Sequence, residues 1–210
     1  MSGKSEKIKN ILDVSIKEFA KKGYELASTN VIAKDAKVSK GLIFKYFKNK
    51  ENLYIETYKY AIKELKNEYE KFSKEKSSYD FFEFLNKWGL KKLELLYKKP
   101  ILSKFLLTSL ELPEKISQKI QEISSEIFQE IIPDLYHRFS KLSLQDNLPK
   151  EKLFQLIIFM IQALGDAYTK QYFKKSNDFI KNKDEILKEW ELYLEIIKRG
   201  VLKTTPPDNS

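Results

Sequence analysis

The sequence predicts an all-α protein of about nine helices, and three observations lead there. Only 6 Gly and 6 Pro punctuate 210 residues, too few for a chain of short strands and tight turns. Apolar residues recur at i, i+3, i+4 and i+7 in segment after segment, the spacing that puts them on one face of a helix. No stretch alternates apolar and polar residues between turn signals, so no sheet is expected. Hydrophobic residues make up 42% of the chain, enough for a sizeable core.

The first helix is expected over about Ser5–Lys22, with Ser5 as its cap and Ile8, Ile11, Leu12, Ser15 and Phe19 as its stripe. Gly23 suits the left-handed position that ends it. A second helix starts near Ser28 or Thr29 and turns Ile32, Ala33 and Ala36 inward. The turn Lys37–Val38 buries Val38. Ser39 caps a third helix that runs to about Tyr46, with Leu42, Ile43 and Phe47 offering apolar contacts. Lys48–Asn49 is a joint, and a long fourth helix covers about Lys50–Lys74. Ser77–Ser78 breaks the chain before a fifth, Tyr79–Lys98.

Pro100 opens a sixth helix to about Glu111, and Pro113–Glu114 opens a seventh to about Leu142. Pro133 is expected to kink or divide that seventh helix, because it lacks an N–H and its ring clashes with the preceding turn. The eighth helix, about Lys150–Lys175, is apolar on every side between Leu153 and Leu164. One face then meets the chain's own core and the other is free for a partner chain. The ninth covers about Lys183–Lys203, and the tail 204–210 is expected to be disordered.

Composition narrows the chemistry. Without cysteine there is no disulfide framework, thiolate metal site or cysteine nucleophile, and the single histidine, His137, has no evident catalytic partner. No catalytic residue, metal or cofactor is predicted, and an enzyme is not expected. The N-terminus lacks the apolar run of a signal peptide, and the longest apolar stretch is shorter than the roughly 20 residues that cross a bilayer. A cytoplasmic location without membrane contact is therefore expected. Net charge is +9, and it is unevenly placed: residues 1–50 hold 12 Lys against 5 acids, whereas the other 160 hold 27 bases against 25 acids. A polyanion is drawn to the basic end, where lysines replace its condensed counterions.

The stretch 28–53 gathers these signals. Two short helices joined by a tight turn, basic, with polar residues on the second helix's outer face, are what a helix-turn-helix needs to enter a DNA major groove. Gly23-Tyr24, Ser28-Thr29 before Ile32-Ala33, Ala36-x-Val38-Ser39-x-Gly41 and Phe44-x-Tyr46-Phe47-x-x-Lys50-x-x-Leu53 together resemble the tetracycline-repressor (TetR) family of bacterial transcription regulators. Two positions depart from the family pattern: Lys37 replaces the turn glycine, and Phe44 replaces a tyrosine.

The resemblance implies an N-terminal helix-turn-helix DNA-binding domain, residues 1–49, and a helical effector-binding and dimerisation domain, residues 50–203. It assigns Ser39, Lys40, Gly41, Leu42 and Lys45 to the groove-facing helix, and Tyr46 and Lys50 to phosphate contacts. Ser28 and Thr29 offer a hydroxyl or amide to phosphate, or else serve as caps. Both arginines, Arg138 and Arg199, lie outside the motif, so the arginine fork that commonly reads guanine is missing. Readout is expected from Lys40 or Lys45 to guanine acceptors and from Leu42 to thymine methyls.

One such helix reads only a few base pairs, so a two-fold dimer on a pseudo-palindromic operator in double-stranded DNA is expected. Its interface is sought on the last two helices, at Leu156, Ala163, Ala167, Trp190, Leu194 and Ile197. The resemblance also implies a pocket for a small, largely apolar effector, with Trp88, Phe105, Phe128, Phe159 and Gln162 as candidate liners. The expected function is a sequence-specific transcriptional regulator, a repressor released by its ligand. The alternative is a nonspecific chromosome-coating protein, which needs the charge but no patterned reading face.

Overall fold

The computed structural model describes residues 2–145, 149–172 and 183–203. Among them are nine α-helices: α1 (Ser2–Leu26), α2 (Thr29–Asp35), α3 (Lys40–Phe47), α4 (Lys50–Glu75), α5 (Phe81–Lys98), α6 (Pro100–Leu107), α7 (Glu114–Ser140), α8 (Lys150–Tyr172) and α9 (Lys183–Val201). The fold is all-α, as the sparse turn residues and helical spacing predict. One isolated antiparallel bridge, Leu144 to Leu202, ties the chain beyond α9 to the α7–α8 connection. The tail 204–210 lies outside the described residues.

Two compact units are present. The first comprises Met1–Glu70 and Glu94–Gln129. Its core holds Ile11, Phe19, Ile32, Ile43, Leu53 and Tyr54, none more than 1% exposed. Phe19 meets Tyr54 edge-on at 4.9 Å between ring centroids, and Phe105 of α6 sits 5.4 Å from the same tyrosine. The hydroxyl of Tyr54 shares a 2.8 Å hydrogen bond with Thr108, and that of Tyr58 a 2.9 Å bond with Ser124. Burial therefore leaves neither phenol without a partner.

The second unit comprises Lys71–Leu93 and Glu130–Ser210. Phe81, Phe139 and Phe154 form its aromatic centre, with Phe139 lying 5.2 Å from Phe81 and 5.3 Å from Phe154. Arg138, 5% exposed, stacks 4.0 Å over Phe84 and donates to the carbonyls of Ser73, Lys76 and Tyr79. A guanidinium is the side chain whose planar fork can serve so many acceptors at once.

One expectation is narrowed and one needs correction. Pro133 does not divide α7, which is assigned as one helix from Glu114 to Ser140. The ring and Gln129, whose carbonyl loses its donor, are both exposed, so water can replace the missing bond. The sixth helix ends early at Leu107 and continues as a 3₁₀ turn, Thr108–Glu111. There the hydroxyls of Thr108 and Ser109 bond back to the carbonyls of Phe105 and Leu106, competing with the α-helical pattern. Helix α8 meets the core with one face, Phe154, Ile157 and Ile158, and leaves the other open, with Leu156, Phe159 and Met160 54%, 67% and 41% exposed.

Candidate nucleic-acid interface

The geometry of α2 and α3 follows from local rules. Gly23 takes φ 68°, so α1 breaks from regular helix there and the chain turns toward α2. Asn10 of α1 donates to the carbonyl of Ala36 at 2.8 Å, fixing α1 to the end of α2. Ser28 occupies the cap position of α2 with extended backbone, but its side chain makes no capping bond; its amide donates to the Glu18 carboxylate at 3.0 Å.

The turn between the helices is a left-handed C-cap. Lys37 has φ 55°, its amide donates to the carbonyl of Lys34, and the amide of Val38 donates to that of Ala33. The glycine's usual turn is thus kept with a lysine in its place. Ser39 caps α3, its hydroxyl accepting from the amide of Leu42 at 3.2 Å.

Helix α3 has eight residues and two sides. Ile43 and Phe47 point into the core, 1% and 5% exposed. At about 100° per residue, Gly41 and Lys45 then face away from it. Lys40 and Phe44 share one flank, the Lys40 ammonium 5.8 Å from the ring centroid, and Leu42 and Tyr46 share the other. Ser39, Lys40, Gly41, Phe44, Lys45 and Lys48 are exposed, while Leu42 and Tyr46 are half-buried. Between residues 28 and 50 there are six lysines and one acid, Asp35. A positive, convex helix face results.

Gly41 stands out on this face. A methyl added there would meet only the Ser39 hydroxyl, 4.0 Å away, so nothing among the described residues requires a residue that weakens a helix by about 1 kcal/mol. Lys37 and Phe44, noted in the sequence only as departures from the family pattern, and Lys48, not singled out there, are all exposed beside or on α3. For Lys48 the missing signal was its backbone geometry. For Phe44 it was an aromatic ring left 38% exposed on an otherwise polar face.

Lys50 is placed differently from a free phosphate ligand. Its ammonium donates to the carbonyl of Glu25 at 2.8 Å and lies 4.9 Å above the ring of Tyr24. Thr29 is half-buried at the start of α2. Asn49 caps α4 through the amide of Asn52 at 2.7 Å, which fixes the helix that leaves the motif.

The residues expected to line an effector pocket are placed as follows. Phe105 is fully buried among Phe19, Tyr54 and Tyr58, and Phe128 is half-buried in the same unit. In the other unit Trp88 is half-buried 5.7 Å from Phe72, and Phe159 and Gln162 are exposed. Of the expected dimer contacts, Leu156, Ala163 and Ala167 are exposed and Trp190 is half-buried. Leu194 and Ile197 turn inward, 5% and 7% exposed, and the outward apolar side chains of α9 are Leu192, Tyr193 and Ile196.

The fold and this face define a class: a helix-turn-helix carried on a helical body. Residues 11–57 match the model of the tetR family of bacterial regulatory proteins. An uncharacterized HTH-type transcriptional regulator of Bacillus subtilis, YhgD, is 41% identical over 58 residues, 28% of this chain and 30% of that protein. The fatty acid metabolism regulator protein of the same organism is 35% identical over 78 residues, 37% of this chain and 40% of that protein. These sequence matches thus span well under half the length of either relative. The crystal structure of the B. subtilis transcriptional regulator FadR in complex with stearoyl-CoA superposes with a TM-score of 0.62 at 25% identity, covering 86% of this chain and 95% of that one. Among the described residues, no helix is long and apolar enough to cross a membrane.

Proposed function

We propose that this chain is a sequence-specific, DNA-binding transcriptional regulator of the cytoplasm. It acts as a homodimeric repressor and is released from its operator by a small, largely apolar ligand. Residues 1–49 read the DNA; residues 50–203 hold the effector and the second copy. The observation that carries the reading is Gly41, kept on an exposed, capped, lysine-flanked helix where nothing among the described residues needs it. Glycine there lets a groove wall come close to the helix backbone.

In this reading Ser39, Lys40, Gly41, Leu42 and Lys45 face base edges, and Ser28, Thr29 and Tyr46 face phosphates. Lys50 joins them by releasing the Glu25 carbonyl. The exposed apolar side chains of α8 and α9, including Leu156, Phe159 and Ile196, form the face that pairs two copies. The structure of FadR with stearoyl-CoA supports a long-chain acyl thioester as the first effector to try. Such a ligand shifts binding only if it favours the conformation that fits the groove less well. A coupling of about 1–3 kcal/mol weakens operator affinity some 5- to 150-fold.

The test starts from a random duplex pool selected on the wild-type chain, followed by footprinting around its own gene with and without stearoyl-CoA. A preferred pseudo-palindrome is expected, together with a Gly41→Ala variant that melts higher yet binds the selected duplex more weakly. Uniform binding to all duplexes would instead identify a nonspecific coating protein. A preferred guanine that survives both Lys40→Ala and Lys45→Ala would remove those lysines as its readers.

A further inference from the structure

Among the described residues, two that are not glycine have positive φ: Lys37 at 55° and Lys48 at 67°. They bracket the outward helix. Lys37 ends α2 one residue before the Ser39 cap's neighbour Val38, and Lys48 follows Phe47, the last residue of α3. Their turns differ. Lys37 occupies a C-cap site that glycine usually fills. Lys48, with ψ −49°, forms a tight turn in which the amide of Asn49 donates to the carbonyl of Phe47 at 2.8 Å. Glycine or asparagine would adopt either conformation at lower cost, because a long side chain's Cβ crowds the neighbouring carbonyl there.

Neither lysine recovers that cost among the described residues. Both are exposed, and among the described residues neither ammonium has an ion-pair, hydrogen-bond or ring partner. Lys50, two positions beyond Lys48, is by contrast held by Glu25 and Tyr24. A helix of eight residues is about 12 Å long. The major groove is also about 12 Å wide. A cation at each end of such a helix lies within a side chain's reach of the phosphates that border the groove.

We propose that Lys37 and Lys48 form a phosphate clamp that seats α3 in the major groove, with turn strain tolerated in exchange for a fixed cation at each end. The clamp rests on the DNA-binding reading above. It adds two contacts outside the residues that reading uses. It sets how deeply and in which register α3 sits; it does not read bases itself.

The test uses the full chain and the duplex selected on the wild type, with affinity measured by fluorescence anisotropy across a salt series. Lys37→Gln and Lys48→Gln keep the side-chain bulk and remove the charge. Because the dimer carries each substitution twice, each is expected to lower the steepness of log K against log salt by about 1.8, and the double variant by about 3.6. Lys37→Gly removes both charge and crowding. It is expected to melt at a higher temperature than wild type while losing the same increment of slope, a pairing that mere damage to the fold cannot give. Slopes equal to wild type in both glutamine variants overturn the clamp. A wild-type chain that binds every duplex alike sinks the sequence-specific reading but leaves the slopes to decide the clamp; one that binds no duplex overturns both.

Discussion

Replacing Arg138 with methionine keeps most of the stem's volume and removes the fork, so it isolates what the guanidinium does. In the structure Nη1 donates to the carbonyls of Lys76 and Tyr79, both at 3.0 Å, and Nη2 to the carbonyl of Ser73 at 3.1 Å and its hydroxyl at 3.0 Å. Nε lies 3.4 Å from the Asp134 carboxylate, which in turn accepts from the Ser73 hydroxyl at 2.8 Å. The side chain therefore closes the C-terminal end of α4 and the turn after it, where carbonyls lack helical donors and a cation is favoured by the helix dipole.

A bond to a charged group contributes about 1.5–3 kcal/mol, but such bonds are not additive when one group makes them all. Removing one partner from a buried charged network costs about 3–5 kcal/mol, since the remaining groups keep their burial and lose their compensation. For a chain of this size each kcal/mol moves the melting temperature by about 2–4 °C, so a fall of roughly 6–20 °C is expected. Tryptophan fluorescence is the suitable readout. The chain's two tryptophans, Trp88 and Trp190, both lie in the unit that holds Arg138. Arg138→Lys, which keeps the charge but not the fork, should fall between wild type and Arg138→Met. A methionine variant within about 1 kcal/mol of wild type would show that water serves these carbonyls equally well, and this account of Arg138 would fail.

Three other expectations follow from single features. Ser39→Ala removes the cap of α3 and should lower stability by about 0.5–2 kcal/mol in urea unfolding, toward the low end given the 3.2 Å bond. The Tyr60 phenol is pushed up to about 12 by burial and by its hydrogen bond to Asp13. Its ordinary value is 10.0, so between about pH 10 and 12 the unfolded chain loses this proton while the folded chain keeps it. Stability should therefore fall as pH rises through that window, and the urea midpoint should drop less between pH 9 and 11 in Tyr60→Phe. Phe159→Glu places a charge on the exposed apolar face of α8; if that face pairs two copies, light scattering should report a dimer for wild type and a monomer for the variant, and a variant that stays dimeric moves the interface elsewhere.

The first three helices were legible because local rules decide them. The stripe Ile11, Leu12, Phe19, the break at Gly23, the Ser39 cap and the inward pair Ile43 and Phe47 all recur where the spacing puts them. The rest depended on facts that spacing does not carry. Whether Pro133 stops a helix depends on which side of the helix its orphaned carbonyl faces. Whether Phe105 lines a cavity or fills a core depends on Tyr54 and Phe19, many residues away in sequence. Which residues of α9 face outward is a matter of rotation about its axis. Apolar residues occur on more than one side, so the pattern admits both Leu194 and Leu192, and packing selects the first for the core. The positive φ at Lys37 is foreshadowed by its place where the family pattern has a glycine, whereas that at Lys48 leaves no trace in residue type, since lysine is common throughout this chain.

The distribution of its two arginines bears on how the proposed reader would work. One, Arg138, is spent inside the body, and the other, Arg199, pairs with Glu195 on α9 at 2.9 Å. The outward face of α3 is left with ammonium groups, which are compact point charges without the fork that fits guanine's two acceptors. A lone ammonium on a flexible stem loses more rotamer freedom per bond formed, so a lysine reader gains from being held in place beforehand. The structure supplies such a hold at Lys40. Phe44 lies one turn further along the same flank, and the ammonium rests 5.8 Å from its ring. A phenylalanine where the family pattern has tyrosine gives up a hydroxyl but keeps the π-face that attracts the cation. That exchange is consistent with a recognition helix that relies on positioned lysines, the close approach allowed at Gly41, and cations fixed at either end, rather than on a guanidinium aimed at one base.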